Sequence, residues 1–227
     1  METNFTPDDG KAKSKKGAVP ASDVDFGTVA TNVAAKWNTT PTISLSWTTA
    51  AEFTTQAAAY NTQLSQRLLV GGGRPQIKQA LTVIEGSMDN ALLYVKGYII
   101  DKYKKDSATS YYPAFGIDHK GGRYAFPTDR NKRIASLDLM LSAIADNDFG
   151  DKEFGTSFWT DIQHEYQLLV NQIATTDGTI SSKVSAKNTL KDSVKKTLNS
   201  LIAVIKGNYP DTYKAELRIW GFQKEKY

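Results

Sequence analysis

The sequence predicts an all-α protein, an up-down bundle of about five to six helices with a small β-hairpin near residues 114–126. Three observations carry that prediction. Apolar residues recur at helical spacing in one segment after another. The one clear hairpin signal is the Lys120-Gly-Gly-Arg123 turn inside AFGIDHKGGRYAF, flanked by apolar and aromatic residues. Apolar residues make up 40% and charged residues 23% of the 227, the balance of a chain that buries a core rather than one that stays disordered.

The elements follow in order. Residues 1–22 carry Lys11, Lys13, Lys15 and Lys16 among Gly, Ser and Pro, and read as a disordered basic tail. Phe26, Val29, Ala30, Val33, Ala34 and Trp37 then fall on one face of a short helix, which Pro41 brings to an end. TISLSW reads as an extended connector. Thr49-Ala-Ala-Glu52 has capping-box spacing and starts a longer helix with Phe53, Ala57, Tyr60, Leu64 and Leu68 as its stripe. Gly71-Gly72-Gly73 is expected to stop that helix, and Pro75 to open the next, which runs to about Tyr103.

After the hairpin, Thr128 is placed to cap a helix through about Ala145. The acidic loop DNDFGDKEFG leads into a helix over about 157–174. Asp177-Gly178 is expected to turn the chain into a last long helix over about 181–206, and the aromatic end, AELRIWGFQKEKY, to pack.

The chain also echoes itself. An offset of 106 pairs Phe53 with Trp159, Tyr60 with Tyr166 and Gln66 with Gln172. An offset of 105 pairs Phe115-Gly116-Ile117 with Trp220-Gly221-Phe222. Residues 23–227 are thus expected to form a single domain with possible repeat units 47–118 and 156–227, joined by a crossover helix at 129–145.

Several chemistries are excluded or disfavoured. No cysteine is present, which removes disulfides, thiolate ligands and cysteine nucleophiles. No apolar run reaches ~18 residues, so no membrane span is expected. The N-terminus lacks the apolar middle of a secretory signal, which makes the cytoplasm the expected location. His164 shares a helical stretch with Asp161, but the Glu-x-x-His pattern of a carboxylate-bundle metal centre has no second copy. The acidic loop lacks a calcium-loop signature, the triple glycine lacks the Gly-Lys-Ser/Thr that follows in phosphate loops, and no Gly-x-Ser-x-Gly elbow occurs. The expected role is accordingly non-catalytic, without cofactor or metal: a scaffold, adaptor or assembly component that binds a protein partner or itself.

The alternative is nucleic-acid binding. Net charge is only +4, but two basic features stand out. Lys120, Arg123, Arg130, Lys132 and Arg133 are interleaved with Tyr111, Tyr112, Phe115, Tyr124 and Phe126, the mixture that stacks bases and tracks phosphates. Lys183, Lys187, Lys191 and Lys195 recur every fourth residue, nearly unopposed by acid in their own segment.

Overall fold

A computed structural model describes residues 17–224, and among them are six α-helices, one 3-10 turn and a two-stranded antiparallel hairpin. The fold class read from the sequence is the one observed. Helices α1 (Asp23–Asn38), α2 (Ala50–Tyr103) and α3 (Lys105–Tyr111) precede the 3-10 turn Tyr112–Phe115. Strands β1 (Asp118–Lys120) and β2 (Arg123–Ala125) follow, then α4 (Arg130–Asp146), α5 (Thr156–Asn208) and α6 (Tyr213–Ile219).

The local signals mostly work as chemistry dictates. Ser22 caps α1 by accepting from the Asp25 N–H. The capping box forms in full: Thr49 Oγ1 accepts from the Glu52 N–H at 3.2 Å, and Glu52 Oε2 accepts from the Thr49 N–H at 2.8 Å. These bonds hold the Glu52 carboxyl below its usual range, the backbone bond from Thr49 most of all. Asp129, rather than Thr128, caps α4 through the Lys132 N–H at 3.0 Å. Gly121 and Gly122 turn the hairpin with φ of 59° and 76°, and put Lys120 opposite Arg123.

Two expected breaks do not occur. Helix α2 runs through Gly71-Gly72-Gly73 and Pro75, and α5 runs through Asp177-Gly178. Each helical glycine costs about 1 kcal/mol and an interior proline about 3 kcal/mol. Such penalties are local, whereas the flanks are fixed by fully buried Tyr60 and Met88 in α2 and by Tyr166 and Leu198 in α5. Packing on both sides therefore overrides the local signal. The side chain of Asp177 does not turn the chain either; it takes Arg74 as a two-pronged partner, at 2.5 and 3.0 Å.

The chain divides into two compact units, residues 1–68 with 181–227 and residues 69–180. In the first, the core joins Phe26, Val33 and Trp37 of α1 to Phe53 and Tyr60 of α2, Leu198 and Ile205 of α5, and Trp220 after α6. Part of the expected tail belongs to it. Ala18 is buried, and its carbonyl accepts from the Gln223 N–H at 3.2 Å; the tail lysines 11, 13, 15 and 16 lie outside the described residues. In the second unit, the core joins Leu137 and Met140 of α4 to Trp159 and Tyr166 of α5, Met88 and Val95 of α2, and Phe115 and Ile117.

Each unit, taken by itself, contains the same parts. A short helix (α1 or α4) precedes the first half of the following long helix. The last half of the other long helix and a terminal aromatic-Gly-apolar segment complete it. Gly221 and Gly116 occupy matching places, with φ of 91° and 70°. A Cβ on Gly221 would lie 2.7 Å from Asn32 Cβ, and one on Gly116 would lie 2.4 Å from the Ser136 carbonyl oxygen. The spacing extends to α1 and α4 at an offset of 107, where buried Ala30, Val33 and Trp37 align in sequence with buried Leu137, Met140 and Ile144.

Candidate functional site

The two basic features fall in different units. In the second unit, Lys120 and Arg123 are exposed at the hairpin tip, and Arg130 and Lys132 are exposed on the first turn of α4. Arg133 is not a surface cation. It is 6% exposed, its Nη1 lies 2.9 Å from Glu85 Oε1, its Nε donates to the Pro127 carbonyl at 2.8 Å, and its guanidinium lies over the Tyr166 ring at 5.9 Å. It fills the place that Phe26 has in the first unit, where the Phe26 and Tyr60 rings meet edge-on at 5.1 Å.

The aromatic platform expected around the hairpin is mostly core. Tyr112, Phe115 and Phe126 are buried, and Tyr111 stacks on Tyr103 at 3.6 Å. Tyr124 is half-buried between His119 and Tyr112, and its carbonyl accepts from Lys96 Nζ. Burial holds the Lys96 ammonium below its usual pKa, partly offset by Asp89.

The lysine stripe of α5 meets acid after all. Lys187 is 6% exposed and paired to Asp23, and Lys191 Nζ lies 2.6 Å from the other oxygen of the same carboxylate. Lys191 also lies over the Phe26 ring at 5.2 Å, and Lys183 donates to Gln66 Oε1 at 2.7 Å. Lys195 is exposed. The hydrogen bonds from Lys187 and Lys191 pull the Asp23 carboxyl down to about 2, while burial beside that carboxylate pushes the Tyr60 phenol up. This triad ties α1 to α5 within one unit; it is not an open phosphate track.

Elsewhere, His164 is exposed, and Asp146, Asp148, Asp151 and Glu153 of the acidic loop are exposed as well. Among the described residues no three His, Asp or Glu side chains converge as a metal cage. Shallow grooves line the surface of the described residues. One, of about 400 Å³, lies between α1 and α2 against Val24, Thr28, Asn32 and Leu68. Another, of about 390 Å³, is lined by Tyr98, Lys102, Asn147, Asp148 and Lys152, and Lys102 is already bonded there to the Asn147 carbonyl at 2.9 Å.

A different surface emerges on α2. Its buried stripe in the second unit is Leu81, Ile84, Met88, Ala91 and Val95. Two residues further on from each, about 200° around the helix, come Val83, Gly86, Asn90, Leu93 and Gly97, followed by Ile100. Val83 is 59%, Leu93 66% and Ile100 37% exposed. Nothing lies within 4 Å of where a Cβ on Gly86 or Gly97 would sit. This row was missed in the sequence because one apolar stripe already satisfied the helix assignment. The available signal was Val83, Leu93 and Ile100 on the opposite face, in a row spaced 3-4-3-4-3 with Gly86, Asn90 and Gly97.

At an offset of 110, the inward residues Ile84, Met88, Ala91 and Val95 correspond to buried Val194, Leu198, Leu201 and Ile205 of α5. The outward residues Val83, Gly86, Asn90, Leu93 and Gly97 correspond to Ser193, Lys196, Ser200, Ala203 and Gly207, and Ile100 to Pro210 beyond the end of α5. The architecture thus does not demand large apolar groups on that face. Compared with known proteins, this chain matches no family model, no curated protein and no solved structure.

Proposed function

We propose that this chain is a non-catalytic assembly component that presents the outward face of α2, residues 83–100, to another macromolecule. The observation that carries the reading is the exposed row of Val83, Leu93 and Ile100 diametrically opposite the buried stripe. Large apolar side chains exposed along one helix face are a feature of interaction sites. Two further facts support it. The buried ionisable groups Lys187 and Arg133 are tied to Asp23 and Glu85, so they act as internal struts. The matching face of α5 is polar or small, so the apolar face is an addition to the scaffold. We further propose that the two units descend from a duplication whose repeat takes in α1 and α4 along with the long helices. The shared Tyr60/Tyr166 and Gly116/Gly221 positions support that origin.

A photo-crosslinking residue at position 93, with the same group at exposed Leu168 as control, tests the reading in the cell that makes the protein. One discrete product from position 93 and none from 168 is the expected result. No product, or the same products from both, overturns it.

Nucleic-acid binding stays as a second reading on one observation: Lys120, Arg123, Arg130 and Lys132 are all exposed in one stretch of sequence that also carries the half-buried Tyr124. It requires measurable oligonucleotide affinity that falls with salt and falls again in a Lys120→Ala/Arg123→Ala variant. Absence of binding at low ionic strength removes it.

A further inference from the structure

The partner on the outward face of α2 is, we propose, a second copy of this chain, packed helix to helix along Val83–Ile100; this rests on the assembly reading above. The spacing is that of coiled-coil a and d positions, 3-4-3-4-3 from Val83 to Ile100. The row is also nearly palindromic. Read from either end it runs large apolar, glycine, central pair of Asn90 and Leu93, glycine, large apolar. An antiparallel copy sets Val83 against Ile100, Gly86 against Gly97 and Asn90 against Leu93, so the two ends of the row match in size.

Charge agrees with self-recognition. Asp89 and Lys96 flank the row on one side and Asp101 on the other. In coiled-coil geometry these flanking positions face the partner helix. Antiparallel packing brings Lys96 to Asp89 of the second copy, and parallel packing brings it to Asp101 of the second copy. In both directions a cation meets a carboxylate, and the two-fold axis makes each contact twice. Lys96 spends one donor on the Tyr124 carbonyl and keeps others for that carboxylate. The row spans roughly 26 Å at 1.5 Å per residue. That is short for free helices, which must order as they pair, but α2 is already held by its core, so only the docking itself has to be favourable.

The test is sedimentation velocity on the full chain over a concentration series up to about 100 μM, weak association being visible in that range. Wild type is expected to shift from monomer to dimer. Leu93→Glu is expected to weaken dimerisation about thirtyfold or more, as loss of a central apolar anchor does, with unchanged helical circular dichroism. Leu168→Glu, at another exposed leucine of the same unit, is expected to dimerise as wild type does. A wild type that stays monomeric throughout, or a dimer indifferent to Leu93→Glu, overturns self-association. If position 93 nevertheless yields a discrete crosslink to a different protein in the cell, the assembly reading stands and only the identity of the partner falls; if both measurements are negative, both fall.

Discussion

Removing the Asp23 carboxylate is predicted to be among the most damaging single surface-proximal changes in the first unit. Asp23 is 29% exposed, yet it is the counter-charge of Lys187, which is 8% exposed at its side chain, and of Lys191, which is 24% exposed. Its carboxyl is held at about 2 against an ordinary 3.8. At 1.36 kcal/mol per pKa unit, a depression of nearly two units is about 2 kcal/mol of stability at neutral pH. Asp23→Ala additionally leaves the Lys187 ammonium buried without a counter-charge, which raises the expected loss to about 3 kcal/mol. The sign in pH follows from the same shift. The unfolded chain binds the proton more tightly, so the stabilisation is complete above the unfolded value of 3.8 and is lost as pH falls to about 2. Urea unfolding followed by tryptophan fluorescence in a Trp159→Phe background reads this unit, because Trp37 and Trp220 are buried in its core and Trp159 in that of the other. Asp23→Ala should lower the midpoint at pH 7 and flatten the loss of stability between pH 4 and 2. Lys187→Met in the Asp23→Ala background should recover much of the loss, since the lone buried charge is then gone. A loss below about 0.5 kcal/mol, the range of ordinary surface changes, or a pH profile identical to wild type, would refute the triad as the tie between α1 and α5.

Further predictions concern backbone and repeat equivalence. Gly116→Ala forces a Cβ to 2.4 Å from the Ser136 carbonyl oxygen at φ 70°, and is expected to cost about 2 kcal/mol or more in thermal or urea unfolding. Gly72→Ala, in open space inside α2, is expected to stabilise by about 0.5–1 kcal/mol, because alanine is the better helix residue; a destabilised Gly72→Ala would mean the glycines serve a bend that α2 needs. Arg133→Phe should be tolerated within about 1.5 kcal/mol, since Phe26 fills the matching position against Tyr60, whereas Arg133→Ala empties a buried site and should cost about 2–4 kcal/mol. Equal losses for the two Arg133 variants in urea unfolding would remove the argued equivalence of α1 and α4.

The residues that could be read from sequence are those whose partners are close in the chain. The Thr49–Glu52 box, the Gly121-Gly122 turn and the Phe26–Trp37 stripe are all decided within a few residues, and all form. The failures share the opposite property. The lysine stripe looked unopposed because its acid, Asp23, is 164 residues from Lys187. Arg133 looked like part of a basic surface because Glu85 and Tyr166 reach it only through the packing of α2, α4 and α5. Gly71-Gly72-Gly73 and Asp177-Gly178 looked like stops because local propensity was weighed without the buried flanks that carry the helix through. A long-range counter-charge leaves no mark on its neighbours in sequence, so composition near a lysine says little about whether that lysine is free.

On the duplication proposed above, each unit serves as a control for the other. Where the two share a position and a residue class, as at Tyr60 and Tyr166 or at Gly116 and Gly221, the fold accounts for the residue and no function need be invoked. Where they share a position but differ in class, the fold tolerates either choice, and the difference requires another cause. By that criterion the charged candidates lose force. Arg133 replaces Phe26 but remains inside, in contact with the same tyrosine, and so changes the chemistry of the core rather than the surface. The outward row of α2 is the opposite case. The counterparts of Val83 to Gly97 on α5 are Ser193, Lys196, Ser200, Ala203 and Gly207, all compatible with water, while Val83 and Leu93 expose apolar surface that costs free energy in an isolated molecule. On the assembly reading proposed above, this stretch, unfavourable in the monomer and unnecessary to the scaffold, is the one a partner would cover.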